Sequence, residues 1–227
     1  MAQHDQIGQL FIYASQDNIV MHSQVTLFSA AGDLLTPIAD KNLAFDLIYE
    51  NLPNIPLDTG DDLGVGQTSS TFIAERREVI PGFVSQYLVA LHYLALQQAA
   101  PMLKPGGRVL SSIGGRIPIA IILRLARETG YAGDILIYTW KVQSEPEEVI
   151  GGYAAWEQRG LGPFHFYPVT VLEDTFRTLS PVAAGAQAEQ IELALRPHVL
   201  SATAALEALH GGTAVGHTVV VLESLKS

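Results

Sequence analysis

Residues 45–56 read Phe45-Asp46-Leu47-Ile48-Tyr49-Glu50-Asn51-Leu52-Pro53-Asn54-Ile55-Pro56, and the change of character at Glu50 sets the organisation of the chain. Phe45 to Tyr49 is short, apolar and aromatic, the pattern of a buried strand. The seven residues that follow hold two prolines and two asparagines, so the chain turns there. In open α/β sheets ligands sit at the carboxyl ends of strands. This loop is therefore the first place to look for chemistry.

Similar runs flank it. Val25 to Phe28, Val109 to Ile113, Ile135 to Trp140 and His217 to Leu222 all have strand character. The last is almost continuously apolar, which suits a strand covered on both faces. Helical spacing lies between these runs. Phe83, Val84, Tyr87, Leu88, Leu91, Leu94 and Ala95 follow one buried face, with Pro81-Gly82 before them and Pro101 as the stop. Lys104-Pro105-Gly106-Gly107 then turns the chain. A second helix carries Ile119, Ile122, Leu123 and Ala126 inward, from Pro118 to a left-handed cap at Gly130. This alternation predicts an α/β fold, a doubly wound and mostly parallel sheet, in one domain over residues 1–227.

Residues 170–212 read as a helical excursion before the final strand. Ser201 is the expected N-cap of a helix through Leu209, and Pro197 separates it from a helix around Glu189 to Leu195. Near the start, Leu10, Phe11, Ala14 and Asn18 have helical spacing within Gly8 to Ser23, although Leu10 to Ala14 also passes as a strand.

Composition excludes several classes. The chain has 227 residues, 48% hydrophobic and 16% charged, with a mean hydropathy of +0.23, which rules out a disordered chain or a coiled coil. Thirteen basic against twenty-three acidic residues give a net charge of -10, a field that repels nucleic acid and anionic lipid. With no cysteine there are no disulfides, thiolate ligands or thiol nucleophiles. The seven histidines lack any H-E-x-x-H spacing, so no metal is expected, and no G-x-S-x-G elbow supports a serine hydrolase. No basic residue precedes Lys41, and the apolar run Ile117 to Leu123 is far short of the roughly 20 residues that span a bilayer. A cytoplasmic location without membrane contact is the expectation.

The residues resemble a known family. The run F-D-L-I-Y-E-N-L-P-N-I-P is similar to the motif of class I S-adenosylmethionine-dependent methyltransferases that follows their fourth strand, with Asn51 and Pro53 in register. Asp33 stands at the distance of the acidic residue after their third strand. From Asp33 to about Pro168 the order of motifs looks like the methyltransferase part of plant methionine S-methyltransferase. Those motifs are the Asn51 loop, Gly82-Phe83-Val84, L-K-P-G-G, I-G-G-R and F-H-F-Y-P.

The resemblance implies a Rossmann-like methyltransferase fold and S-adenosylmethionine as cofactor. It makes Asn51, Pro53 and Asn54 the candidate catalytic positions and Asp33, Leu34 and Asn51 the cofactor contacts. Glu50, Leu52 and Arg116 are the candidate substrate contacts. Asp33 would accept from the adenine amino group or, alternatively, cap the segment after it. Asn51 would hold a nucleophile in line with the donor methyl, or simply turn the chain. Glu50 is either a charge stabiliser or, preferably, a solvated residue. Gly114-Gly115-Arg116 could bind an anion with amide hydrogens and guanidinium, or be a tight turn. Residues 58–67, rich in glycine and aspartate, read as a lid.

Leu52 stands where the amino-methylating families have their first proline, and Asn54 replaces their stacking aromatic. A small soft nucleophile, sulfur above all, therefore suits the site better than a planar amine. No glycine-rich cofactor loop precedes Val25, so the fold is expected to be N-terminally incomplete. Truncation is the preferred explanation, ahead of a partner chain or second copy covering the open edge and of rearranged strands. The alternative to a small-molecule methyltransferase is then a non-catalytic interaction module that pairs through that edge. A nicotinamide-dependent oxidoreductase would need the same missing loop.

Overall fold

The computed structural model describes residues 8–14, 26–57, 71–74 and 76–226. Strands β1 (Gly8–Ala14) and β2 (Thr26–Gly32) come first, then β3 (Phe45–Glu50), β4 (Ile55–Pro56) and β5 (Phe72–Ile73). Helices α1 (Gly82–Gln86) and α2 (Ala90–Ala99) lead into β6 (Leu103–Gly115), α3 (Ile119–Glu128) and β7 (Tyr131–Val142). Beyond these lie α4 (Pro146–Gln158), β8 (Tyr167–Pro168), α5 (Val169–Phe176), α6 (Pro181–Gly185), α7 (Ala188–Leu195), α8 (Ala202–His210) and β9 (Val215–Lys226).

The main sheet runs β3, β6, β9, β7, with β8 added against β9. The fold is α/β as expected, but the sheet is mixed rather than mostly parallel. β3 and β6 are parallel, whereas β9 is antiparallel to both β6 and β7. The cause lies in the excursion. Val142 at the end of β7 pairs with Gly216 near the start of β9, so the intervening helices return the chain to the end of the sheet it had left. β9 must then run back through the sheet. An apolar run carries no directional signal, because it suits either pairing.

The beginning of the chain also departs from expectation. Residues 8–14 form a strand, the alternative open at Leu10 to Ala14, and not a helix tail, and the ladder from Gly8↔Gly32 to Ala14↔Thr26 joins β1 to β2 in a separate two-stranded sheet. Phe11, Ile12 and Tyr13 have the side chains that favour an extended backbone. The expected strand at Val25 to Phe28 is therefore β2, and it does not enter the main sheet.

Register assigns two faces to the main sheet. Ile113 lies opposite Val220, and Ser111 opposite Leu222, so these residues share one face. Helices α2 and α3 cover that face. The Tyr131 hydroxyl donates to the Leu96 carbonyl at 2.9 Å, and a Cβ on Gly133 would lie 2.6 Å from the Ala126 methyl. Ile113, Ile122, Leu125, Val220 and Leu222 are inaccessible there, each contributing about 1.5–3 kcal/mol by burial. Ser112, Gly114, Lys141, His217 and Val219 belong to the opposite face, near the end where β6 and β7 finish.

The helix expected over 83–95 is divided. Leu88 takes a left-handed conformation, φ 55°, and separates α1 from α2. The cap at Gly130 is left-handed as read, φ 86°, and the Ser201 hydroxyl accepts from the Ala204 amide at 3.1 Å. Helix α4 is an element the sequence reading omitted. Its signals were Pro146 at the first turn and Glu147 and Glu148 beside the positive helix end.

Candidate functional site

Glu50 closes β3 and is buried, not solvated. Its carboxylate accepts from Nδ1 of His92 on α2, at 2.7 and 2.9 Å to its two oxygens. The ring's Nε2 then accepts from the Asn54 amide at 3.1 Å, and the same NH2 group donates to the Leu52 carbonyl at 2.7 Å. One proton on Nδ1 satisfies the whole chain of contacts. Burying a carboxylate is costly, and the charge-assisted bond offsets it. The result is a fixed loop at residues 51–54. Glu50 thus positions this loop through His92 and does not line the pocket beyond it.

That pocket has a volume of about 320 Å³ and opens at the strand ends. Asn51, Leu52, Pro53 and Asn54 form one wall, Val149 and Tyr153 of α4 another. Gly114, Arg116, Lys141 and His217 complete it from the sheet. Asn51 is exposed, and its amide has no hydrogen-bond partner among the described residues. The candidate residues Asn51, Leu52, Pro53, Asn54 and Arg116 therefore share one cavity.

Arg116 has no carboxylate partner among the described residues. Its Nη2 donates to Gln143 Oε1 at 2.7 Å, Nε is buried and unpaired, and the guanidinium lies over the Tyr153 and Phe166 rings at 5.2 and 5.9 Å. Burial lowers its proton affinity, and the neighbouring Tyr153 partly restores it; an arginine stays charged regardless. Lys141 is lowered by burial first and by the Arg116 charge second. His217 is fully buried with both ring nitrogens unpaired. Burial, then Arg116 and Lys141, hold its pKa well below the ordinary value, so it is neutral.

The backbone of Gly114-Gly115-Arg116 does not form an anion cradle. The Arg116 amide donates to the Gly114 carbonyl at 2.7 Å, and the Thr218 hydroxyl donates to the Gly115 carbonyl at 2.7 Å. At the start of α3, the Ile119 amide donates to Glu192 Oε1 at 2.8 Å. Only the guanidinium remains for a ligand.

Asp33 and Leu34 lie elsewhere. Both Asp33 oxygens accept from Arg76, at 2.8 and 2.9 Å, in a shallow groove with Ala74, Arg77 and Glu78. The Asp33 side chain does not cap the following turn; its carbonyl accepts from the Thr36 amide at 3.1 Å. Leu34 takes φ 52° in that turn. Asp33 and Asn51, expected as contacts to one cofactor, do not share a cavity among the described residues, because β2 pairs with β1 and its end opens on another groove. Among the described residues, Asp33 and Leu34 are thus no part of the cavity that Asn51 lines. The lid read at residues 58–67 lies outside the described residues.

No protein-family model matches the chain, and no curated protein matches it significantly. Among the described residues, no group of three or more His, Cys, Asp or Glu side chains could hold a metal ion, and no helix is long and apolar enough to cross a membrane. Lys141, Gln143, His217 and His92 are site residues the sequence reading passed over. Lys141 and Gln143 were open to discovery, since they follow the strand at Ile135 to Trp140 and the strand-end rule applies to them too. His92 had only helical spacing to mark it.

Proposed function

We propose that the chain is a methyltransferase-like protein with a Rossmann-like sheet, acting on a small molecule held in the strand-end pocket. The observation that carries this reading is the Asn51–Asn54 loop at the end of β3, lining a pocket of metabolite size with the Asn51 amide unpaired. S-adenosylmethionine, which the family resemblance implies, would supply a methyl group on a strongly electrophilic sulfonium, so alignment is most of what the protein must add. Asn51 orients the nucleophile, Pro53 stiffens the loop, and Asn54 is held by His92 and Glu50. Sulfur remains the favoured nucleophile. The cytoplasm is the compartment this reading expects, with no nucleic-acid or membrane partner.

Calorimetric titration with S-adenosylhomocysteine tests it. Saturable binding that weakens in Asn51→Ala is the expected result. No heat at millimolar ligand overturns the reading and leaves a second one, a non-catalytic module that pairs through its sheet edge. A specific observation favours that second reading. β3 pairs only with β6 among the described residues, and its Leu47 and Tyr49 are exposed.

A further inference from the structure

Among the described residues, two cations face the pocket without a carboxylate paired to them. The chain carries twenty-three acidic residues, yet among the described residues none forms an ion pair with Arg116 or Lys141. Arg116 is half-buried with its Nε unpartnered, so its uncompensated charge is costly, while the exposed Lys141 adds a second positive charge at the pocket wall. Tyr153 and Phe166 stabilise the guanidinium through their ring faces, and Tyr153 also raises its proton affinity, but neither brings a carboxylate. Among the described residues Glu145 is the acidic one on the pocket wall, so Arg116 and Lys141 leave that described lining positive, in a protein of opposite net charge.

The polar groups also converge. Lys141 and His217 are directly paired across β7 and β9, which puts both side chains on the pocket face. His217 is fully buried and both its ring nitrogens lack a partner. Buried polar groups of this kind ordinarily have one, supplied by protein, water or ligand. Gly114 makes room for the arrangement, since a Cβ there would lie 2.2 Å from Arg116 Nη1.

We propose that this pocket is a carboxylate site, in which Arg116 and Lys141 together receive a carboxylate of the bound small molecule and His217 adds a neutral hydrogen bond. Phosphate shares the oxyanion chemistry but favours free backbone amides at a helix start. Here the helix start that borders the pocket, that of α4, carries Glu147 and Glu148 in its first turn, which oppose a dianion, and the Arg116 amide is bonded to Gly114. The inference goes beyond the methyl-transfer reading and stands without it.

The test is calorimetric titration of the full chain with succinate, succinamide, inorganic phosphate and sodium chloride at matched ionic strength. Succinate binds saturably, succinamide and chloride do not, and phosphate is the weaker oxyanion. Arg116→Gln weakens succinate by about 10- to 100-fold, the scale of one charge-assisted contact, and Lys141→Met, at an exposed position, by about 2- to 5-fold. Gly114→Ala weakens it too, by displacing the guanidinium with the charge retained. Should Arg116→Gln fail to fold, Lys141→Met and Gly114→Ala still decide. A response to chloride equal to that of succinate, unchanged succinate affinity in those folded variants, or phosphate binding tighter than succinate each overturns the proposal. Because no nucleoside is used, a failed titration with S-adenosylhomocysteine does not affect this result.

Discussion

Lys141 and His217 stand directly opposite each other on β7 and β9, a cation set beside a buried imidazole. The pairing makes protonation of His217 unfavourable, after burial itself. In the unfolded chain the ring takes a proton near its ordinary value, about 6.5. Below that pH the unfolded state binds the extra proton and the folded state resists it, so stability falls as the solution is acidified. The stability is complete above about pH 6.5. His165, lowered by burial and then by Arg196, acts in the same direction. Melting temperatures from pH 7.5 to 5 should fall in the native chain and fall less in His217→Gln. Equal slopes would remove His217 from the account.

The Glu50–His92 contact is expected to be structural as well as positional. Glu50→Ala leaves the Nδ1–H of a buried ring unpaired, at a cost of about 1–3 kcal/mol. Denaturant unfolding measures this, and the same variant should broaden amide signals of residues 51–54. A variant as stable as the native chain, with that loop unchanged, contradicts the role given to His92.

Glu192 caps a helix that is not its own. Glu192→Ala removes the acceptor for the Ile119 amide at the start of α3 and should cost about 1 kcal/mol, or about 2–4 °C in melting temperature at this size. Glu192→Gln, which keeps an acceptor oxygen, should recover most of that loss.

Two glycines with open space around them should respond in opposite directions. Gly130 has φ 86° and Gly151 lies within α4, and a Cβ on either meets no atom within 4 Å. Gly130→Ala forces a left-handed alanine and destabilises by about 1 kcal/mol. Gly151→Ala raises helix propensity and stabilises by about 0.5–1 kcal/mol. Chemical denaturation of the pair reads the difference without interference from packing.

Local patterns carried much of the fold. β3, the core of β6, β7 and β9, the α3 cap at Gly130 and the Ser201 cap were legible because apolar period and capping chemistry are local. Strand direction was not, since it depends on where a long helical connection returns the chain. The break at Leu88 was hidden because leucine rarely takes φ 55° and nothing nearby announces it. At the site, the Asn51 loop and Arg116 were legible from strand ends. The Lys141–His217 pair was not, because cross-strand register is fixed only once β9 is known to run antiparallel. Asp33 was misplaced for the same reason, its strand pairing with β1.

The position of β9 also governs how the protein is made. Until Val215–Lys226 has left the ribosome, β6 and β7 each present an open edge where β9 will fit. Synthesis therefore passes through an interval in which two sticky half-sheets wait for one late strand, and the pocket, which needs His217 from that strand, comes into being only when the gap closes.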